Sequence, residues 1–223
     1  MSIRLALALC GSVILASVPA VAGDSTPASY DALLSQLKSG FTDIDYSQLR
    51  EAYAATASYD PYDRGGSSGK SLAEALQSTD CPQVLAAANK LLDSNFTNIR
   101  AHIYAESCAR KLNDNSTAQY HRRVAAGLLG SIAHSGDGTQ PESAYVVIST
   151  DEEYAFVFAS GYEVKGQSLV QFGTHECDAL EVADANGARK TIYFNVDKPW
   201  AWLAQKFPPH VDSKSVPGRG AAQ

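Results

Sequence analysis

Apolar positions recur every three or four residues through the first half of this chain, then every second residue further on, so helices are predicted first and a small sheet after them. Leu33, Leu34 and Leu37 predict a helix over residues 30–38, stopped by Gly40. A second starts at Asp45-Tyr46-Ser47 and carries Leu49, Ala52, Tyr53 and Thr56 before Pro61 and Gly65-Gly66 break the period. A shorter helix is expected around residues 71–77, followed by a helical hairpin that turns at residues 94–98. Val84, Ala88 and Leu91 share a face of its first arm, and Ala101, Ala105, Cys108 and Leu112 share one of its second. His121, Val124, Ala125, Leu128 and Ile132 repeat the pattern over residues 117–133.

The period changes at Ser135-Gly136-Asp137-Gly138. Residues 144–148 are β-branched and aromatic, and Ser149 with Glu152 and Thr150 with Glu153 form two overlapping capping boxes ahead of a short helix over 154–159. Strands are then expected at 168–172, 179–183 and 191–196, the last two joined by a tight turn at Asn186-Gly187. Consecutive strands make an antiparallel sheet the simplest arrangement, with Pro199, Trp200, Trp202, Leu203 and Phe207 packed over it. The fold class is therefore α+β: TPR-like helical hairpins packed on a small C-terminal antiparallel sheet. Helix pairs spaced by about 34 residues suit tetratricopeptide-type stacking, and Ala118 fits its small interhelical position, but the Trp-x-x-Leu-Gly-x-x-Tyr core is missing. An ordinary helical bundle fits the pattern equally well.

The first residues change the picture by pointing to a compartment. Arg4, the apolar run from Leu5 to Val18, and Ala20-Val21-Ala22 have the layout of a cleavable export signal over residues 1–22. The run is shorter than the roughly 20 apolar residues of a membrane span, so no transmembrane anchor is expected after cleavage. The organisation predicted is a signal peptide (1–22), a helical TPR-like region (23–135), a small α+β region (136–207) and a disordered tail (208–223) rich in Pro, Gly and Ser. Periplasm or external medium is the expected location. The 223 residues are 45% hydrophobic and carry a formal net charge of −6. That balance, without any Lys/Arg cluster, argues against nucleic acid as a partner.

In an oxidising compartment the thiols matter. Cys81 and Cys108 stand nearly equidistant from the hairpin turn, on arms that face each other, so a disulfide is expected between them. Cys177 is left over, either a buried apolar thiol or a reactive one.

No strong catalytic signature is present: there is no Gly-x-Ser-x-Gly, no phosphate loop, no His-Glu-x-x-His and no Cys-x-x-Cys. His102 and Glu106 lie one helical turn apart and His121 sits on the next helix, so the three are candidates to line a groove or, with a fourth ligand, to hold a divalent metal. The same residues are more simply explained by a His102–Glu106 surface pair and a His121 hydrogen-bonded inside the bundle. A second cluster comprises Asp137, Glu152, Glu153, His175 and Asp178. Glu152 and Glu153 with His175 could serve as acid, base and proton carrier, although capping accounts for both glutamates and a turn accounts for Asp137. No cofactor is implied.

Several phrases, in order along the chain, resemble an uncharacterised family of exported bacterial proteins, domain of unknown function 4919. They are Leu49-Arg50-x-x-Tyr53, Ala101-His102, Gly127-Leu128-Leu129-x-Ser131-Ile132, Gly136-Asp137-Gly138, Glu152-Glu153-Tyr154, Gly166-Gln167-x-Leu169 and Ile192-Tyr193-Phe194. The resemblance implies a helical N-terminal half joined to a small α+β end and brings no assigned activity. The sequence is best read as a binding or interaction module for a peptide, a protein or an envelope component. The alternative is a metal-dependent or acid/base hydrolase of the envelope.

Overall fold

The computed structural model describes residues 28–62 and 66–207. The expected signal peptide (1–22) and the expected tail (208–223) lie outside the described residues. Six helices come first: α1 (Tyr30–Lys38), α2 (Tyr46–Ala54), α3 (Gly66–Ser78), α4 (Cys81–Ser94), α5 (Ile99–Lys111) and α6 (Asn115–Ala133). Side chains at their N-termini fix the starts, because the first backbone N–H groups of a helix have no partner within it. Ser29, Asp45, Asn98 and Asp114 accept from the N–H groups of Ala32, Gln48, Ala101 and Thr117. Asp114 starts α6 two residues before the expected position. Helix α3 runs five residues further back than its apolar spacing predicts, since packing of Leu72 and Ala75 against α4 outweighs the weak helix propensity of Gly66-Ser67-Ser68-Gly69.

The antiparallel arms α4 and α5 are stapled by the expected disulfide, Cys81–Cys108, with Cα atoms 4.9 Å apart. Replacing both cysteines by alanine is expected to remove about 3–4 kcal/mol of stability through the freed unfolded chain, measured by urea unfolding as a lower midpoint with a steeper slope, since the unconstrained chain exposes more surface. Helix α5 packs between α4 and α6, and α2 lies across α6. The α2 crossing depends on Gly127, where any Cβ would collide with the Tyr46 ring.

The sheet has the order β1-β4-β3-β2, from β1 (Tyr145–Val146), β2 (Glu163–Phe172), β3 (His175–Ala183) and β4 (Arg189–Asn195). Strands β2, β3 and β4 form the expected antiparallel meander, with Asp184 accepting from the N–H groups of Asn186 and Ala188 in the Asn186-Gly187 turn. Strand β1 runs parallel to β4, Tyr145 opposite Phe194, which makes the sheet mixed. A parallel neighbour needs a long crossover, and α7 (Thr150–Ala159) with the two following strands supplies it. Strands β2 and β3 begin earlier than their apolar runs suggest, at Glu163 and His175.

Helix α8 (Asp197–Lys206) closes the described chain. Pro199 is buried, and Trp202 donates its indole N–H to the Tyr59 carbonyl at 3.0 Å, whereas Trp200 and Phe207 face solvent instead of covering the sheet. One core runs from the helices into the sheet through Leu37, Leu49, Ile99, Leu128, Leu180 and Phe194. Among the described residues no helix is long and apolar enough to cross a membrane.

Candidate functional site

Helix α7 carries Ala155, Phe156 and Val157 buried in succession, so it is enclosed on several sides. Its two acidic residues are therefore carried inward as well. Glu152 is 4% exposed and meets Arg50 of α2, itself buried, in a two-pronged ion pair of 2.9 and 2.7 Å. The guanidinium also donates to the Val146 carbonyl (2.8 Å) and the Ser131 hydroxyl (3.3 Å), and Glu152 accepts the Ile148 N–H at 2.9 Å. This cluster ties α2, α6, β1 and α7 together. The capping expectation is corrected here: Ser149 does accept from the Glu152 N–H at 3.3 Å, but the Glu152 carboxylate turns to Arg50 and Ile148 rather than back to the cap.

Glu153 is fully buried, and no N–H or hydroxyl donor reaches its carboxyl, which instead meets the Asp178 carboxylate through its own proton. It too is no capping residue. Burial first, then the charge of Asp178 and the hydrogen bond to it, and last the charge of Glu152, push its carboxyl up to about 9, so it holds its proton at neutral pH. Asp178 of β3 carries the charge of this pair, although burial raises it too. The Asp178 carboxylate accepts from the Gln167 amide at 2.6 Å, and Gln167, exposed on β2, accepts in turn from the Tyr154 hydroxyl at 2.6 Å. Tyr62 lies close by: burial, and after it the charges of Asp178 and Glu153, hold its hydroxyl above the usual range. Its ring centroid is 5.9 Å from that of Trp202.

The other candidates fall elsewhere. His102 and His121 fill the seam between α5 and α6, both buried, with their Nδ1 atoms 2.9 Å apart. His102 Nε2 donates to the Phe96 carbonyl at 2.9 Å, so its Nδ1 accepts from the Nδ1–H of His121. Burial, reinforced by His121 and opposed by the Phe96 carbonyl, pushes His102 down to about 3, and burial lowers His121 as well. Glu106 pairs with Arg110 at 3.2 Å. His175 lies at the start of β3 and pairs with Asp197 at 2.6 Å, apart from Glu152 and Glu153. Asp137 holds its turn, accepting from Thr139 and Ser143. No group of three or more His, Cys, Asp or Glu among the described residues is placed to hold a metal. Cys177 is buried and unpaired, with its thiol raised chiefly by burial.

A cleft of about 260 Å³ opens between α5, α7 and the start of β2, walled by Ile103, Tyr104, Tyr154, Val157, Phe158 and Tyr162 with Arg100 at its side. Phe158 is 66% exposed at this cleft. Sequence reasoning flagged Glu152, Glu153 and Asp178 but passed over Arg50, Gln167 and Tyr62. The signal available for Arg50 was an arginine between Leu49 and Tyr53 on a helix whose apolar face it shares.

Fold and site define an α+β protein with a buried acidic centre and an aromatic cleft. The chain belongs to the family described as domain of unknown function DUF4919, whose model matches residues 20–203. No curated protein and no solved structure matches it. Arg50, Ser131, Glu152, Glu153 and Gln167, from four of the phrases that carried the resemblance, meet in or beside the acidic centre.

Proposed function

We propose that this protein is an exported binding module that takes an extended peptide or protein segment in the cleft between α5, α7 and β2. The observation that carries this is the exposed Phe158 ring on an apolar cleft beside β2, which lies at the edge of the sheet with no strand on its outer side among the described residues. An edge strand offers unpaired N–H and C=O groups, and an adjacent pocket selects a side chain, the combination used in strand addition. Leu169 and Phe172 extend the exposed apolar surface along the same strand. The Cys81–Cys108 disulfide supports export to the periplasm or medium, where such bonds persist.

Selection from a random twelve-residue peptide library tests the reading. Enriched peptides are expected to carry an aromatic or branched apolar anchor, to shift the amide resonances of β2, and to bind at least tenfold more weakly to Phe158→Ser. Enrichment that is indifferent to Phe158 and leaves β2 unperturbed would overturn it.

A further inference from the structure

Two residues of α5, Arg100 and Tyr104, wall the cleft beside β2 and also a second hollow of about 240 Å³, lined by Leu72, Ala73 and Leu76 of α3 and Leu91 of α4. One helical turn apart, they form a ridge that both hollows share. The charges left open along this groove have one sign. Its acids are engaged: Glu163 pairs with Lys165 at 2.8 Å, and the Asp151 carboxylate accepts from the Asn98 amide at 3.2 Å. Arg100 is held only loosely. Its side chain is 48% exposed, Asp151 stands 3.8 Å away, too far for a hydrogen bond, and the Tyr104 hydroxyl meets it at 3.5 Å. Lys190 lies over the Tyr162 ring of the cleft wall, 4.1 Å from its centroid, with no carboxylate partner among the described residues. Both open charges are therefore positive, on a chain of net charge −6. We infer that the segment this protein takes is acidic, with a Glu or Asp side chain on Arg100 between two apolar anchors, one in each hollow. This rests on the cleft reading and names what the cleft selects.

A guanidinium presents its donors as a planar fork that matches a carboxylate through two parallel hydrogen bonds. Position decides the source of that carboxylate. Arg100 lines both hollows, so a chain ending there in its own carboxylate would leave one hollow empty, whereas an acidic side chain lets the chain run on into the second. In an extended segment, residues i, i+2 and i+4 lie on one side and span about 13 Å, which sets an acid midway between two anchors. A polyanion is the wrong occupant, because the walls are largely apolar and aromatic and the net charge of −6 repels repeated phosphates. Lys190 adds a longer-range attraction for the acid, which salt screens.

Selection from a library of N-acetylated, C-amidated peptides tests this, with Phe, Tyr or Leu at the two anchor positions and Glu, Gln or Lys midway between them. Glu is expected to be enriched at the centre of binders that need Phe158. In the best of these, exchanging Glu for Gln is expected to weaken binding about tenfold in about 50 mM salt and much less in about 500 mM. Arg100→Gln is expected to abolish the preference for Glu over Gln. Ala73→Trp, at an exposed position where the new ring fills the second hollow, is expected to weaken the two-anchor peptide at least tenfold, while a peptide lacking the second anchor binds it as it binds the wild type. Both variants are expected to keep their folded signal by circular dichroism. Binders that need Phe158 but accept Gln or Lys as readily as Glu would overturn the inference and leave the cleft reading standing. So would a peptide that ends in a free carboxylate at the central position and binds as tightly as the two-anchor form. Failure to obtain any binder that needs Phe158 would overturn both.

Discussion

Arg50→Ala is expected to cost about 3–5 kcal/mol of folding stability, the range found when one partner of a buried ion pair is removed and the other is left behind. The size follows from what the guanidinium satisfies: both Glu152 oxygens, the Val146 carbonyl and the Ser131 hydroxyl, on three other elements of the fold. Glu152→Ala is expected to be comparably destabilising, because it strands a buried guanidinium and frees the Ile148 N–H. Urea unfolding of the two single variants and of the double variant checks this. The double variant is expected to be much less destabilised than the sum of the two, the sign of direct coupling. Additivity would show that the pair is not the joint that holds α2 to α7.

How much of this was readable in the sequence depended on whether a local rule or a tertiary contact decided each residue. Helices α1, α2, α5 and α6 were legible because their apolar spacing and their N-terminal capping residues agree, as with Asn98 ahead of α5, and α4 was legible by its spacing alone. The Cys81–Cys108 pairing was legible because a helical hairpin places positions by simple symmetry about its turn. The parallel β1–β4 pairing was not, since adjacency along the chain favours antiparallel neighbours and only the crossover through α7 reverses that. The glutamates were misread for a physical reason. Ser149 and Thr150 three residues ahead of Glu152 and Glu153 satisfy a capping pattern, but Ala155, Phe156 and Val157 bury α7 on more than one side and pull the acids inward. The absence of a polar face on residues 154–159 was the available clue. His102 was expected either in a groove or with Glu106; the structure pairs it with His121 across the α5–α6 seam, a contact set by interhelical register that no spacing rule within one helix contains.

Glu153→Gln is expected to stabilise the protein on the alkaline side of neutrality and to flatten its pH dependence there. The folded carboxyl titrates at about 9 against an ordinary value of 4.5, so between those limits the folded state holds a proton that the unfolded state has shed. Stability from this group is therefore complete below about pH 4.5 and is lost as pH rises toward 9, at a limiting slope of about 1.4 kcal/mol per pH unit. The histidine pair acts in the opposite sense. His102 is lowered from 6.5 to about 3 and His121 is lowered as well, so the unfolded state binds the extra protons and stability falls as the solution is acidified below about 6.5. The two trends leave the wild-type protein most stable slightly below neutrality, with decline on both sides. In Glu153→Gln the alkaline limb is expected to disappear while the acid limb remains, and His102→Gln is expected to remove part of the acid limb alone. Melting temperatures from pH 4 to 9 measure both. A wild-type curve that stays level from pH 6.5 to 9 would show that Glu153 ionises without cost and that the acidic centre is open to water.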